Sequence, residues 1–135
     1  MLGEKFTEHV GKVTGVRVIP GDEHAPHVET SFAGNGKLYG IETTEMGTYI
    51  SRLQPSGVMV GEGQGIVMTK DGEAVTWKAM GVGRPTGKGM AASYRYSVTF
   101  QTSSQKLAKL NTFMAVGEWE VDEQGNTRGN GWEWK

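Results

Sequence analysis

The chain has 135 residues, fourteen basic and fifteen acidic side chains, and no cysteine. That length is one domain, the near-balanced charge leaves no footprint for nucleic acid or an anionic membrane, and the missing cysteine excludes disulfides, thiolate metal sites and a cysteine nucleophile. Glycine is unusually frequent, at 21 residues, but four Trp, four Tyr and four Phe supply a core that low-complexity disorder lacks.

The opening MLGEKFTEH carries acids and no apolar run, so it does not read as a signal peptide, and a cytoplasmic protein is expected. No stretch approaches the roughly 20 apolar residues of a membrane span, so no membrane association is expected. Residues 8–19 are rich in β-branched side chains, broken by Gly11 and Gly15, and read as a strand ending at Pro20-Gly21. A polar loop follows over 21–27, then a strand from His27 to Phe32 and a tight turn at Asn35-Gly36. Leu38 to Leu53, interrupted by Gly40 and Gly47, reads as one bent strand or two, and Gln54-Pro55-Ser56-Gly57 as a turn.

Residues 57–83, GVMVGEGQGIVMTKDGEAVTWKAMGVG, are nearly symmetric about Asp71-Gly72, with alternate glycines at the far end of each arm. Asp-Gly between two alternating runs signals a hairpin, because a two-residue turn needs positive φ there. Such a turn sets Lys70 opposite Glu73, Ile66 opposite Trp77, Gln64 opposite Ala79 and Glu62 opposite Gly81. Glu62 and Gln64 then share a face with Trp77. A three-residue turn with Gly72 as a bulge is the alternative, and it re-pairs the two faces.

Gly83 to Gly89, GRPTGKG, reads as a loop. Residues 92–102 alternate cleanly, with Tyr94, Tyr96, Val98 and Phe100 on one face and Arg95, Ser97, Thr99 and Gln101 on the other. Ser103 or Ser104 caps a predicted short helix holding Leu107 and Leu110, which stops at Asn111. Phe113, Ala115, Gly117, Trp119 and Val121 then share one strand face, Asp122 to Asn126 turns the chain, and residues 131–135 end it as a strand.

About eight strands joined by short turns make an antiparallel meander. It hides its edges most simply by closing into a barrel, here with one short helix against one end; a two-sheet sandwich is the alternative. GEGQG at 61–65, the TKDGE turn at 69–73 with Trp77, TSSQKLAKLN at 102–111 and GEWEVD at 117–122 together resemble a small bacterial family of uncharacterised proteins. That family is grouped structurally with the allene oxide cyclase barrel. The resemblance implies an eight-stranded barrel that is often oligomeric. No catalytic residue of the plant cyclase maps onto a position here.

The motifs with known chemistry fail on spacing. GEGQGI lacks both the last glycine and the following helix of a dinucleotide site, and GRPTGKG has Gly89 where Ser or Thr would meet magnesium. His24 and His27, near Asp22, Glu23 and Glu29, read as a solvated loop cluster rather than a metal site. No Gly-x-Ser-x-Gly element is present. Arg95 alternates away from Tyr94 and Tyr96, which favours core packing over base stacking. No metal, cofactor or nucleic acid is expected.

The lumen remains as the candidate site, with Trp77, Tyr94, Tyr96 and Phe100 as walls, Gln64 as a polar contact and Glu62 as acid or base. Binding of a small apolar ligand is the first expectation. A cofactor-free isomerase or cyclase using Glu62 is the second, and a structural homo-oligomer with a filled core is the third; in any of these the chain is expected to form a homo-oligomer, a dimer first.

Overall fold

The computed structural model describes residues 1–135. Eight antiparallel strands follow one another round a closed barrel: β1 (Leu2–Asp22), β2 (Ala25–Leu38), β3 (Ile41–Leu53), β4 (Met59–Thr69), β5 (Ala74–Pro85), β6 (Ala92–Gln101), β7 (Ala115–Val121) and β8 (Asn126–Trp134), which pairs back onto β1. No helix is long and apolar enough to cross a membrane. β1 leaves β8 at Lys12 and continues with β2, which stays paired with β3 as far as His27, so the far end of β1 has β2 as its one neighbour. His24 sits in the turn between β1 and β2 and His27 near the start of β2, exposed and half-buried.

Three of the turns share one construction. Thr69 N donates to Glu73 O at 2.8 Å and Gly72 N to Thr69 O at 2.9 Å, with Gly72 at φ +85°. Gln54–Val58 around Gly57 and Asp122–Asn126 around Gly125 repeat this pattern of amide-to-carbonyl bonds and positive-φ glycine. Each is a three-residue loop whose last position is a left-handed glycine bulge. The expected two-residue turn at Asp71-Gly72 is therefore corrected. It needs positive φ at both residues, and Asp71 does not have it. A two-residue turn with positive φ at both residues is found instead at Tyr39-Gly40.

Asn35-Gly36 is likewise not a turn but the middle of β2. A Cβ at Gly36 would overlap the Glu8 backbone, so this glycine serves the close approach of β1 to β2. Gly83 to Pro85 belong to β5, and the loop begins after them.

The expected helix is a single 3₁₀ turn, Ala108–Thr112. Ser104 Oγ accepts the Leu107 amide at 3.2 Å as the chain enters it. Leu107 and Leu110 are buried against Phe6, Leu38, Val75, Val98 and Phe100, and so plug one end of the barrel. Lys109 Nζ reaches the buried Glu133 at 3.1 Å and holds the plug to β8. A second cluster, Phe32, Ala92, Tyr94, Trp119 and Val121, fills the other half. Trp77 and Tyr96 pack against both clusters.

Inside the barrel, large aromatic side chains face glycine across the ladder. Trp77 is opposite Gly65, Tyr94 opposite Gly83, Tyr96 opposite Gly117 and Trp119 opposite Gly129. In each case a Cβ on the glycine would collide with the ring. Of the alternate glycines of the central hairpin, Gly63, Gly65, Gly81 and Gly83 each lie against an inward aromatic residue.

Candidate ligand cavity

Corrected register decides what faces the lumen. Glu62 pairs with Met80 and Gln64 with Lys78, on the outer face of β4 and β5. The Glu62 side chain is 59% exposed and its Oε1 accepts from Arg52 Nη2 at 3.0 Å. Glu62 is among the residues that line the cavity, with its neighbours Gly61 and Gly63, but its carboxylate is turned to the outer face and paired with Arg52. Gln64 is exposed and does not line the cavity. Neither side chain points where the expected register put it. The one-residue shift put every side chain of β4 on the opposite face.

Trp77, Tyr94, Tyr96 and Phe100 do face inward, as the alternation of β5 and β6 requires, and all four line a cavity of about 110 Å³. Phe100 forms the end near the plug, edge-on to Phe6 at 5.8 Å between ring centroids. Tyr94 donates to or accepts from Ser51 Oγ at 3.0 Å and lies 3.7 Å from Met59 Sδ, so its hydroxyl is used inside the protein. Burial raises the Tyr94 pKa, and the bond to Ser51 partly offsets this.

The polar corner of the cavity comes from residues whose roles the sequence did not suggest. His9 on β1 is 5% exposed, and its Nδ1 lies 3.2 Å from Glu45 Oε1 on β3. The carboxylate sits off the line of a hydrogen bond from that nitrogen. On the other side of the ring, Nε2 is 3.0 Å from Thr127 Oγ1, which fixes the ring's orientation. Trp119 packs on the His9 ring at 5.1 Å and Phe32 meets it edge-on at 5.4 Å. Phe32 in turn contacts Trp119 at 4.6 Å and stacks with Trp77 at 6.3 Å.

Tyr49 and Tyr96 are the remaining inward hydroxyls. Burial pushes Tyr49 up to about 12, although Trp119 and Thr30 approach its hydroxyl and offset some of the shift. Tyr96 is raised further, first by burial and then by the Glu45 charge. Tyr96 lies deep in the barrel yet keeps accessible surface, because that surface faces the cavity rather than bulk water. The indole nitrogens of Trp77 and Trp119 are enclosed with no acceptor in hydrogen-bond geometry. The cavity is therefore an aromatic chamber with a carboxylate and a phenol at hand, and both groups can exchange a proton or a hydrogen bond with a guest.

A signal for these missed residues was present in the chain. Glu45, Gly47, Tyr49 and Ser51 alternate along β3 and share its inward face, and Trp119 sits on the strand face already assigned inward. His9 had no such signal. A bulge in β1 between Lys5 and Thr7 breaks the alternation that would have placed it.

No family model and no curated protein matches the sequence. Several solved structures match the fold. A conserved protein of unknown function, RPA1785 from Rhodopseudomonas palustris, superposes with a TM-score of 0.82 at 14% identity, covering 98% of this chain and 97% of that one. A beta-barrel like protein from Acinetobacter baumannii, ABAYE2633, gives 0.83 at 15% identity, covering 100% and 96%. An enzyme from Penicillium herquei gives 0.70 at 16% identity, covering 96% and 92%. At these identities the likeness establishes a shared barrel fold and nothing finer.

Proposed function

We propose that the barrel binds a small, largely apolar molecule in its interior cavity. The observation that carries this is a mostly apolar space of about 110 Å³, lined by aromatic side chains and by the His9–Glu45 pair. An apolar chamber with a few convergent polar groups is the usual layout of a small-molecule site. An engineered cavity of roughly 150 Å³ holds benzene, so this somewhat smaller one suits a compact guest no larger than about a six-membered ring. The test is a thermal-shift titration with benzene and with cyclohexanone. Melting should rise with the concentration of at least one guest, as binding to the folded state alone requires. No shift with either compound at their solubility limits contradicts the proposal.

A second reading, a cofactor-free isomerase or cyclase of the allene oxide cyclase kind, is favoured by the buried His9–Glu45 contact. The fold likeness to the Penicillium herquei enzyme adds to it. In this reading Glu45 takes the acid–base role once expected of Glu62. We further propose a cytoplasmic homo-oligomer, a dimer. Six of the seven methionines are exposed, and Met46, Ile66, Met80 and Val82 lie together on the outer face of β3 to β5. Sedimentation at micromolar concentration should show a dimer, and a clean monomer removes that part of the proposal.

A further inference from the structure

Two of the cavity's polar groups stand three strands apart round the wall, Glu45 on β3 and Tyr96 on β6. Both line the same space and both keep accessible surface inside it, with 18% of the Glu45 side chain open. Among the three inward tyrosines, Tyr96 is distinctive. Tyr94 spends its hydroxyl on Ser51, and Tyr49 is approached by Trp119 and Thr30. Tyr96 has no protein partner of that kind, and its ring lies over Gly117, where a side chain would displace it. Its neighbours hold it in the protonated form that donates a hydrogen bond. Behind Glu45 stands His9, 3.2 Å away, whose other nitrogen is anchored on Thr127. A carboxylate backed by a fixed imidazole and an unspent phenol therefore line the same small apolar chamber.

We infer that the cavity enolises small ketones, with Glu45 as the base and Tyr96 as the donor to the carbonyl oxygen. This rests on the reading of the cavity as a binding site. Glu45 takes a proton from the carbon beside the carbonyl. The C–H electron pair becomes the new C=C bond while the carbonyl π pair moves to oxygen. The Tyr96 O–H donates to the enolate oxygen as that charge develops. The proton on Glu45 trades with solvent before one is delivered back: return to the same carbon then exchanges that carbon's hydrogen, and delivery to the far end of a conjugated enolate shifts a double bond. No oxidant, metal or cofactor enters the balance. His9 acts as a positioning residue on the carboxylate. The apolar walls suit the step, since charge stabilisation by a fixed donor is stronger where water is excluded.

The experiment is deuterium uptake at the α-carbons of cyclohexanone in D₂O, followed by proton NMR with the purified full chain. Binding of the same ketone is measured in parallel from the thermal shift. The wild type should exchange at least about 100-fold faster than buffer, the usual scale of general-base catalysis. Glu45→Gln and Tyr96→Phe are near-isosteric. Each should keep its cooperative melt and its ketone-dependent thermal shift while losing tenfold or more of the exchange rate. If Glu45→Gln does not fold, Tyr96→Phe carries the same test alone. Binding with exchange at the buffer rate overturns the inference and leaves the binding site standing. Exchange undiminished in both variants overturns the assignment of these residues. Absence of both binding and exchange overturns the inference together with the reading it rests on.

Discussion

A methyl group added at Gly117 would run into the Tyr96 ring, whereas at Gly15 nothing lies within 4 Å. Neither glycine has positive φ, so the difference is one of space alone. Gly117→Ala should cost about 1–3 kcal/mol, the range for overpacking a filled interior. Gly15→Ala should be neutral or slightly stabilising, since it reduces the freedom of the unfolded chain. Urea denaturation of the two variants reads the difference. Individual residues were legible where alternation was unbroken. Trp77, Tyr94, Tyr96 and Phe100 point where a period of two puts them. Glu62 and Gln64 were misplaced by a single step of register, which no residue on β4 could have revealed by itself.

Turns were the weaker signal at the scale of elements, because glycine serves two purposes in this chain. Asp71-Gly72 and Asn35-Gly36 look alike in sequence, yet one closes a three-residue loop and the other lets two strands approach. The pattern that separates them is repetition, since Gly57, Gly72 and Gly125 each end a loop of the same construction. The segment before β7 was expected as a helix and forms one 3₁₀ turn. Its two leucines nevertheless do what their spacing suggested and bury together. Leu110 is fully buried at the centre of the plug. Leu110→Ala should therefore lower stability by about 2–5 kcal/mol, the range for a truncated core leucine. A loss under about 1 kcal/mol in the same denaturation assay would mean that the plug is not part of the cooperative core.

For the whole molecule, closure follows from chain order alone. Eight strands meander, each pairing with the next, and β8 returns to β1 so that the barrel body has no open edge. This much was legible in the spacing of turns and strands. The size of the lumen was not, because it depends on how far each aromatic ring reaches over its glycine. Those reaches leave about 110 Å³ rather than a filled core or a wide pocket. Ala79 lines that space as one of its smallest side chains. The most direct test of the cavity as a binding site is a two-dimensional ¹H–¹⁵N titration with cyclohexanone, following the indole N–H signals of Trp77 and Trp119. It is run on the wild type and on Ala79→Leu, which fills the chamber. The account predicts saturable shifts of the Trp77 signal in the wild type and none in a folded Ala79→Leu. Indole signals that stay still in the wild type, or that move equally in the filled variant, would contradict it.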